Sequence, residues 1–75
     1  MFKMYEFGAY DLPMGEEEFK NCAYAIVAAK ENLVSDKNLR RVTICNDYGV
    51  KVADFVKNPI EREIVNRVNS EVVNF

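Results

Sequence analysis

Residues 39–56, with the sequence LRRVTICNDYGVKVADFV, decide the fold. Two runs, 39–46 and 50–56, flank the triplet Asp47-Tyr48-Gly49, in which Gly49 can supply the left-handed residue of a three-residue hairpin loop. We therefore predict a β-hairpin. The register matters because a slip of one residue moves every side chain to the other face. The predicted register places Val42, Ile44, Asn46, Val50, Val52 and Asp54 on the core face, and Arg41, Thr43, Cys45, Lys51, Ala53 and Phe55 on the open face.

Before the hairpin, the sequence predicts a strand followed by a helix. Residues 2–10, FKMYEFGAY, suit a strand with a period of two, and the chain then turns through residues 12–15. Gly15 is an acceptable N-cap, and the acidic run 16–18 would lie in a first helical turn, where the helix dipole favours negative charge. We therefore predict a helix over about 16–34. Its apolar stripe faces the core, and its outer side carries the uncharged residues Tyr24, Val27 and Ala28.

After the hairpin, residues 58–73 predict a second helix. Asn58-Pro59-Ile60-Glu61 places an N-cap residue, a proline at the first helical position and a glutamate at the third. Apolar residues then recur every four positions, as one side of a helix requires. They are Ile60, Ile64, Val68 and Val72.

The predicted fold class is α+β in a single domain over residues 1–75. The predicted order is β-α-β-β-α, in which two helices pack on one face of a three-stranded sheet. A chain of 75 residues has room for one small core only, so the other sheet face stays partly open.

The composition excludes several kinds of chemistry. The chain has no histidine, two cysteines (Cys22 and Cys45) without a Cys-x-x-Cys spacing, and three scattered glycines. Nucleophile–histidine catalysis, a zinc site and a phosphate-binding loop are therefore not expected. We predict a protein that is not an enzyme, with no catalytic residues, no cofactor and no metal.

The N-terminus and the thiols predict a cytoplasmic protein. Glutamates interrupt any secretory-type apolar run, and the longest uncharged apolar run, residues 22–29, is too short for a bilayer. We expect free thiols and no membrane partner, since disulfides are rare in the cytoplasm.

Surplus apolar surface favours a protein-interaction module, an adaptor or inhibitor that docks on a larger protein. With 49% hydrophobic residues, the chain has more apolar surface than so small a core can hide. The candidate interface residues are Tyr24, Val27, Ala28 and Phe55. In size and acidity the chain is similar to phage-encoded inhibitors of host defence, including anti-CRISPR proteins, a likeness of composition with no shared motif. The uncharged outer side of the first helix also predicts a homodimer.

Two alternatives stay open at this point. The locally basic hairpin, residues 39–57, predicts a nucleic-acid-binding accessory protein whose phosphate contacts would be Arg40, Arg41, Lys51 and Lys57. The second alternative is a small enzyme or ligand carrier with a site at a dimer interface. Its candidate residues are Asp54, Cys45 and Tyr48.

Overall fold

In the computed structural model, which describes all 75 residues, the chain forms one six-stranded sheet and one α-helix. The elements are β1 (Phe2–Phe7), β2 (Pro13–Phe19), α1 (Cys22–Ser35), β3 (Arg41–Cys45), β4 (Lys51–Asn58), β5 (Glu63–Asn66) and β6 (Glu71–Asn74). A single 3-10 turn, Ala9–Asp11, joins β1 to β2. The strand order is β2-β1-β3-β4-β5-β6, and every neighbouring pair is antiparallel. The edges of the sheet are therefore β2 and β6.

The α+β class agrees with the sequence, but the predicted architecture of three strands and two helices is wrong. The second predicted helix is in fact the hairpin β5–β6. Its apolar residues are all isoleucine or valine, whose branched side chains fit a pleated sheet better than a helix. The Asn58 side chain does accept hydrogen bonds from the backbone N–H groups of Ile60 and Glu61, as an N-cap would. The bonds close a turn, which ends at Arg62 with a left-handed φ of 55°.

The predicted start of the first helix is also wrong. Residues 16–18 lie in β2, where Glu16, Glu17 and Glu18 pair with residues of β1. The helix begins at Cys22, because the Asn21 side chain accepts a hydrogen bond from the N–H of Ala23 and caps it. The acidic run therefore belongs to an edge strand.

The hairpin loop forms as predicted, but a β-bulge changes the register beyond it. The N–H of Asn46 donates to the carbonyl of Val50, and Gly49 takes a left-handed φ of 75°. Cys45 lies opposite Lys51, yet Ile44 lies opposite Ala53, so Val52 is an extra residue in β4. The following residues change faces. Phe55 is only 2% exposed in the core, which corrects its predicted position on the open face, and Asp54 lies opposite Thr43 on the open face.

The core lies on the side of the sheet that α1 covers. Ala25, Ala29 and Leu33 of the helix pack on buried residues of the strands. Those residues are Met4, Val42, Ile44, Ala53, Phe55 and Ile64. The opposite face has no second layer, as antiparallel sheets allow. No helix in the structure is both long enough and apolar enough to span a membrane.

Lys57 joins β4 to the end of α1 from inside the protein. Its Nζ donates hydrogen bonds to the carbonyl oxygens of Leu33 at 2.7 Å and Asp36 at 2.8 Å. Burial, with a further contribution from the charge of Arg40, lowers the pKa of Lys57 below its ordinary value. The ammonium satisfies carbonyl groups that the last turn of a helix leaves without partners.

Replacing this ammonium should destabilise the protein. We expect Lys57→Met to lower the free energy of unfolding by about 1–3 kcal/mol, because the carbonyl oxygen of Leu33 loses its donor and that of Asp36 keeps only the N–H of Leu39, at 3.3 Å. Urea unfolding followed by circular dichroism measures the change. The matched control is Lys37→Met, an exposed lysine, with an expected change within about 0.5 kcal/mol. Equal losses in the two variants would contradict the capping role.

Candidate functional site

The loop between β1 and β2 has an unusual backbone. Tyr10 and Asp11 both have a φ of 57°, in the left-handed region that side chains other than glycine rarely adopt. Two backbone hydrogen bonds hold the loop: the N–H of Gly8 donates to Leu12 at 2.8 Å, and the N–H of Leu12 donates to Ala9 at 3.2 Å. A Cβ on Gly8 would lie 2.8 Å from Sδ of Met14 and 3.2 Å from the carbonyl oxygen of Asn38, so a larger residue would require the Met14 side chain to move.

This loop and the start of β2 display apolar side chains instead of burying them. Tyr10 is fully exposed, and Leu12 and Met14 are largely exposed. They border a shallow cavity of about 470 Å³, to which Asn38 and Arg40 add a polar side. We call these five residues the Tyr10 surface. It is an apolar patch with an amide and a guanidinium at its margin.

The guanidinium of Arg40 is the charged group of the Tyr10 surface. Its Nη1 donates to the carbonyl of Lys37 at 2.8 Å, and it forms no ion pair with any carboxylate. Lys37, also exposed, adds a second positive charge nearby in the chain. The Arg40 guanidinium at the margin of the surface therefore has no acidic partner within the protein.

A second polar cluster lies on the open face of the sheet, around Asp54. Arg41 binds this carboxylate through two hydrogen bonds, Nε at 2.8 Å and Nη2 at 2.9 Å, and Thr43 Oγ1 donates a third at 3.1 Å. Lys51 Nζ lies 3.8 Å from the carboxylate. Burial alone would raise the pKa of Asp54, but the hydrogen bonds and charge of Arg41 outweigh it, helped by Thr43 and Lys51, so the pKa lies below its ordinary value. The cluster is satisfied internally and stabilises the pairing of β3 with β4.

This cluster contains two of the four proposed phosphate contacts, and a third is buried elsewhere. Arg41 and Lys51 both face Asp54, and Lys57 is buried under α1. Of the four predicted cations, only Arg40 is neither paired with a carboxylate nor buried.

The predicted protein-interface residues are spread over two regions. Tyr24 and Val27 are exposed on the outer side of α1, Ala28 is half-buried, and Phe55 lies in the core. The structure therefore brings Tyr24 and Val27 together on one helix face but separates Phe55 from them.

The structure does not bring the candidate residues of the enzyme or carrier hypothesis into one site. Asp54 is held by Arg41, Tyr48 lies fully in solvent on the hairpin loop, and Cys45 borders a separate depression with Lys3 and Tyr5. No three histidine, cysteine or acidic side chains form a cluster that could hold a metal ion.

The Tyr10 surface was not found from the sequence. Tyr10 was assigned to a strand, and Leu12 and Met14 to a turn. A signal was present, since the segment 12–15 carries leucine and methionine beside the proline and glycine that turns favour. This chain matches no known protein family, no characterised protein and no solved structure at a significant level.

The Asp54 cluster makes stability depend on acid pH. Because folding lowers the pKa of Asp54, its contribution is complete above the ordinary value of 3.8 and is lost as the pH falls through the folded value. We expect Asp54→Asn to lower the free energy of unfolding by about 1.5–3 kcal/mol at neutral pH, with the difference from wild type shrinking in acid. Urea unfolding at several pH values measures it. The control is Asp47→Asn at an exposed ion pair, where the expected loss is below about 1 kcal/mol. A difference from wild type that stays constant with pH would show that Asp54 does not act through its charge.

The left-handed backbone at Tyr10 predicts a gain in stability on substitution. Tyr10→Gly should raise the free energy of unfolding by about 1 kcal/mol, because glycine adopts this backbone without strain and the exposed ring makes no packing contact to lose. Tyr48, equally exposed but without a positive φ, is the control, and Tyr48→Gly should lower stability. Thermal and urea unfolding report both changes. A loss in Tyr10→Gly as large as that in Tyr48→Gly would show that the loop is not strained.

Proposed function

We propose that this chain is a non-enzymatic protein-binding module, an adaptor or inhibitor, that docks on a larger protein through the Tyr10 surface. The observation that carries the proposal is the loop that keeps Tyr10 in solvent on a left-handed backbone. Tyr10 and Asp11 are the two central residues of a hairpin turn closed by the bond from the N–H of Leu12 to the carbonyl of Ala9, and this turn places the Tyr10 ring in solvent.

The composition of the surface supports protein binding. Tyrosine, methionine and arginine are all enriched at protein interfaces relative to the rest of the surface. Tyr10 supplies a large ring, Leu12 and Met14 supply apolar area, and Arg40 supplies a charged margin. A central apolar group with a polar margin is the usual arrangement of binding hot spots.

The charge of Arg40 defines the partner further. An apolar side chain of the partner would enter the cavity beside Leu12 and Met14. A carboxylate next to it would pair with the Arg40 guanidinium, which has no acidic partner in this chain. We therefore propose an acidic, apolar surface segment of a larger protein as the ligand. The two free thiols, Cys22 and Cys45, fit a reducing compartment, and we propose the cytoplasm.

Nucleic-acid binding by the hairpin ranks below this proposal. Its cations, except Arg40, are engaged within the protein, and substitution of Arg41 or Lys51 by glutamate would disrupt the Asp54 cluster as well as any phosphate contact. Arg40→Glu is the cleaner test of that alternative.

A random peptide display library selected on the wild-type protein tests the proposal. We expect the enriched peptides to combine an aromatic or aliphatic residue with a nearby aspartate or glutamate. Binding of these peptides should fall by at least about tenfold in the double variant Tyr10→Ser/Leu12→Ser, because the variant loses the apolar anchors. Arg40→Gln should weaken only the peptides that carry the acid.

The matched control is the double variant Tyr48→Ser/Val50→Ser. It removes one tyrosine and one aliphatic residue, both exposed, from the loop at the opposite end of the sheet. Binding to this control should equal binding to wild type. Peptides that bind all three proteins equally would refute the proposal. A selection that yields no peptide dependent on Tyr10 and Leu12 would refute it too.

A further inference from the structure

The outer edge of β6 has free backbone groups. The N–H of Phe75 donates to the carbonyl of Arg62 at 2.9 Å, and this bond fixes which residues of β6 face β5. Because antiparallel strands alternate hydrogen-bonded and non-hydrogen-bonded pairs, Val73 faces β5, while the N–H and C=O groups of Val72 and Asn74 face outward. The edge therefore offers donors and acceptors to another strand.

The two edges of the sheet differ in how strongly their charged side chains oppose pairing with a strand of another molecule. β2 begins at Pro13 and carries Glu16, Glu17 and Glu18, so a second copy of β2 would meet it with like charges. β6 has a single acid, Glu71, whose carboxylate lies 3.4 Å from Nζ of Lys30. The residues after it carry no charged side chain: Val72, Val73 and Phe75 are apolar, Asn74 is a neutral amide, and Val72 is 51% exposed. β6 is thus the edge without charge protection.

Side chains hold β6 in place at both ends. Arg62 Nε donates to the Phe75 carbonyl at 2.7 Å, and the guanidinium lies 5.7 Å from the centre of the Phe75 ring. Lys30 holds Glu71 at the other end. The free edge is therefore presented in a fixed conformation, which lowers the entropic cost of pairing.

We propose that two copies of this chain associate by antiparallel pairing of β6 with β6, about a two-fold axis at Val73. In this register both outward-facing residues of each strand form hydrogen bonds, since Val72 lies opposite Asn74 of the second copy. Val73 lies opposite its own counterpart, and Glu71 lies opposite Phe75 of the second copy, so no like charges meet. A register centred on Val72 would bring Ser70 into the pairing, where a φ of 61° ends the strand.

The pairing joins the two sheets into one and offsets the small size of each core. It differs from the homodimer that the sequence predicts through α1, because it leaves Tyr24 and Val27 exposed. It also leaves the Tyr10 surface free, since the β1–β2 loop lies at the other edge of the sheet. The dimer would present two such surfaces and does not depend on their function.

Sedimentation of the full chain tests the dimer. Wild type should sediment at twice the monomer mass of 8.7 kDa. Asn74→Pro should sediment as a folded monomer, because proline removes an outward N–H and no hydrogen bond within the chain. Val27→Glu on the outer side of α1 is the control and should stay dimeric. A monomeric wild type, a dimeric Asn74→Pro variant or a monomeric Val27→Glu variant would each overturn the proposal.

Amide hydrogen exchange of the wild type gives a second test that needs no variant. The amides of Val72 and Asn74 should exchange more slowly as the protein concentration rises, because pairing buries them. The fully exposed loop residues Tyr48 and Gly49 provide amides whose exchange should not depend on concentration. If these two amides exchange at one rate across a concentration range in which sedimentation shows the dimer dissociating, the proposed pairing is wrong, even where Asn74→Pro fails to fold.

Discussion

The β-bulge at Val52 is the constraint on which the rest of this structure depends. One extra residue in β4 puts Ala53, Phe55 and Lys57 on the side of the sheet that α1 covers. Phe55 thereby becomes the largest side chain of the core, and Lys57 reaches the carbonyl groups at the end of the helix. The same shift puts Asp54 opposite Thr43 and within reach of Arg41. Without the bulge, the carboxylate would face the apolar core and Phe55 would face water.

The one-sided sheet explains where the remaining apolar surface lies. One helix of 14 residues covers one face, and its small residues Ala25 and Ala29 let it lie close to the strands. The other face is closed locally by the Asp54 cluster, in which the Asp54 side chain is only 7% exposed, rather than by a second apolar layer. A chain with 49% hydrophobic residues therefore leaves apolar side chains at its periphery, in the β1–β2 loop, on the outer side of α1 and along β6.

The sequence predicts correctly the features that depend on neighbouring residues. It predicts wrongly the features that depend on which strands pair and in which register. The loop 47–49 and the apolar helix over its central part were predictable, because a glycine at a hairpin corner and a helical stripe act within a few residues. The prediction of a second helix is wrong for two reasons. Asn58 caps a turn as readily as a helix. The four-residue spacing of the apolar residues indicates a helix, but their branched side chains favour strands; they are Ile60, Ile64, Val68 and Val72. The bulge could not be predicted from the hydrophobic pattern, because the register with the bulge and the register without it both place apolar and polar residues on each face. The extra residue, Val52, places Phe55 in the core and Asp54 on the open face, and so changes the position of one candidate residue in each of two predicted sites.

Both proposed surfaces follow from the different charges that the two edges of the sheet carry. At one edge, the glutamates of β2 prevent pairing with another copy, so the neighbouring β1–β2 loop stays accessible while its backbone holds Tyr10 outward. At the other edge, Lys30 neutralises the only acid of β6, and Arg62 fixes the strand end, so the backbone stays open to pairing. In the two proposals, the different charges at the two edges would separate binding of a partner from association with a second copy. Since the two surfaces share no residue, selection can change one without loss of the other.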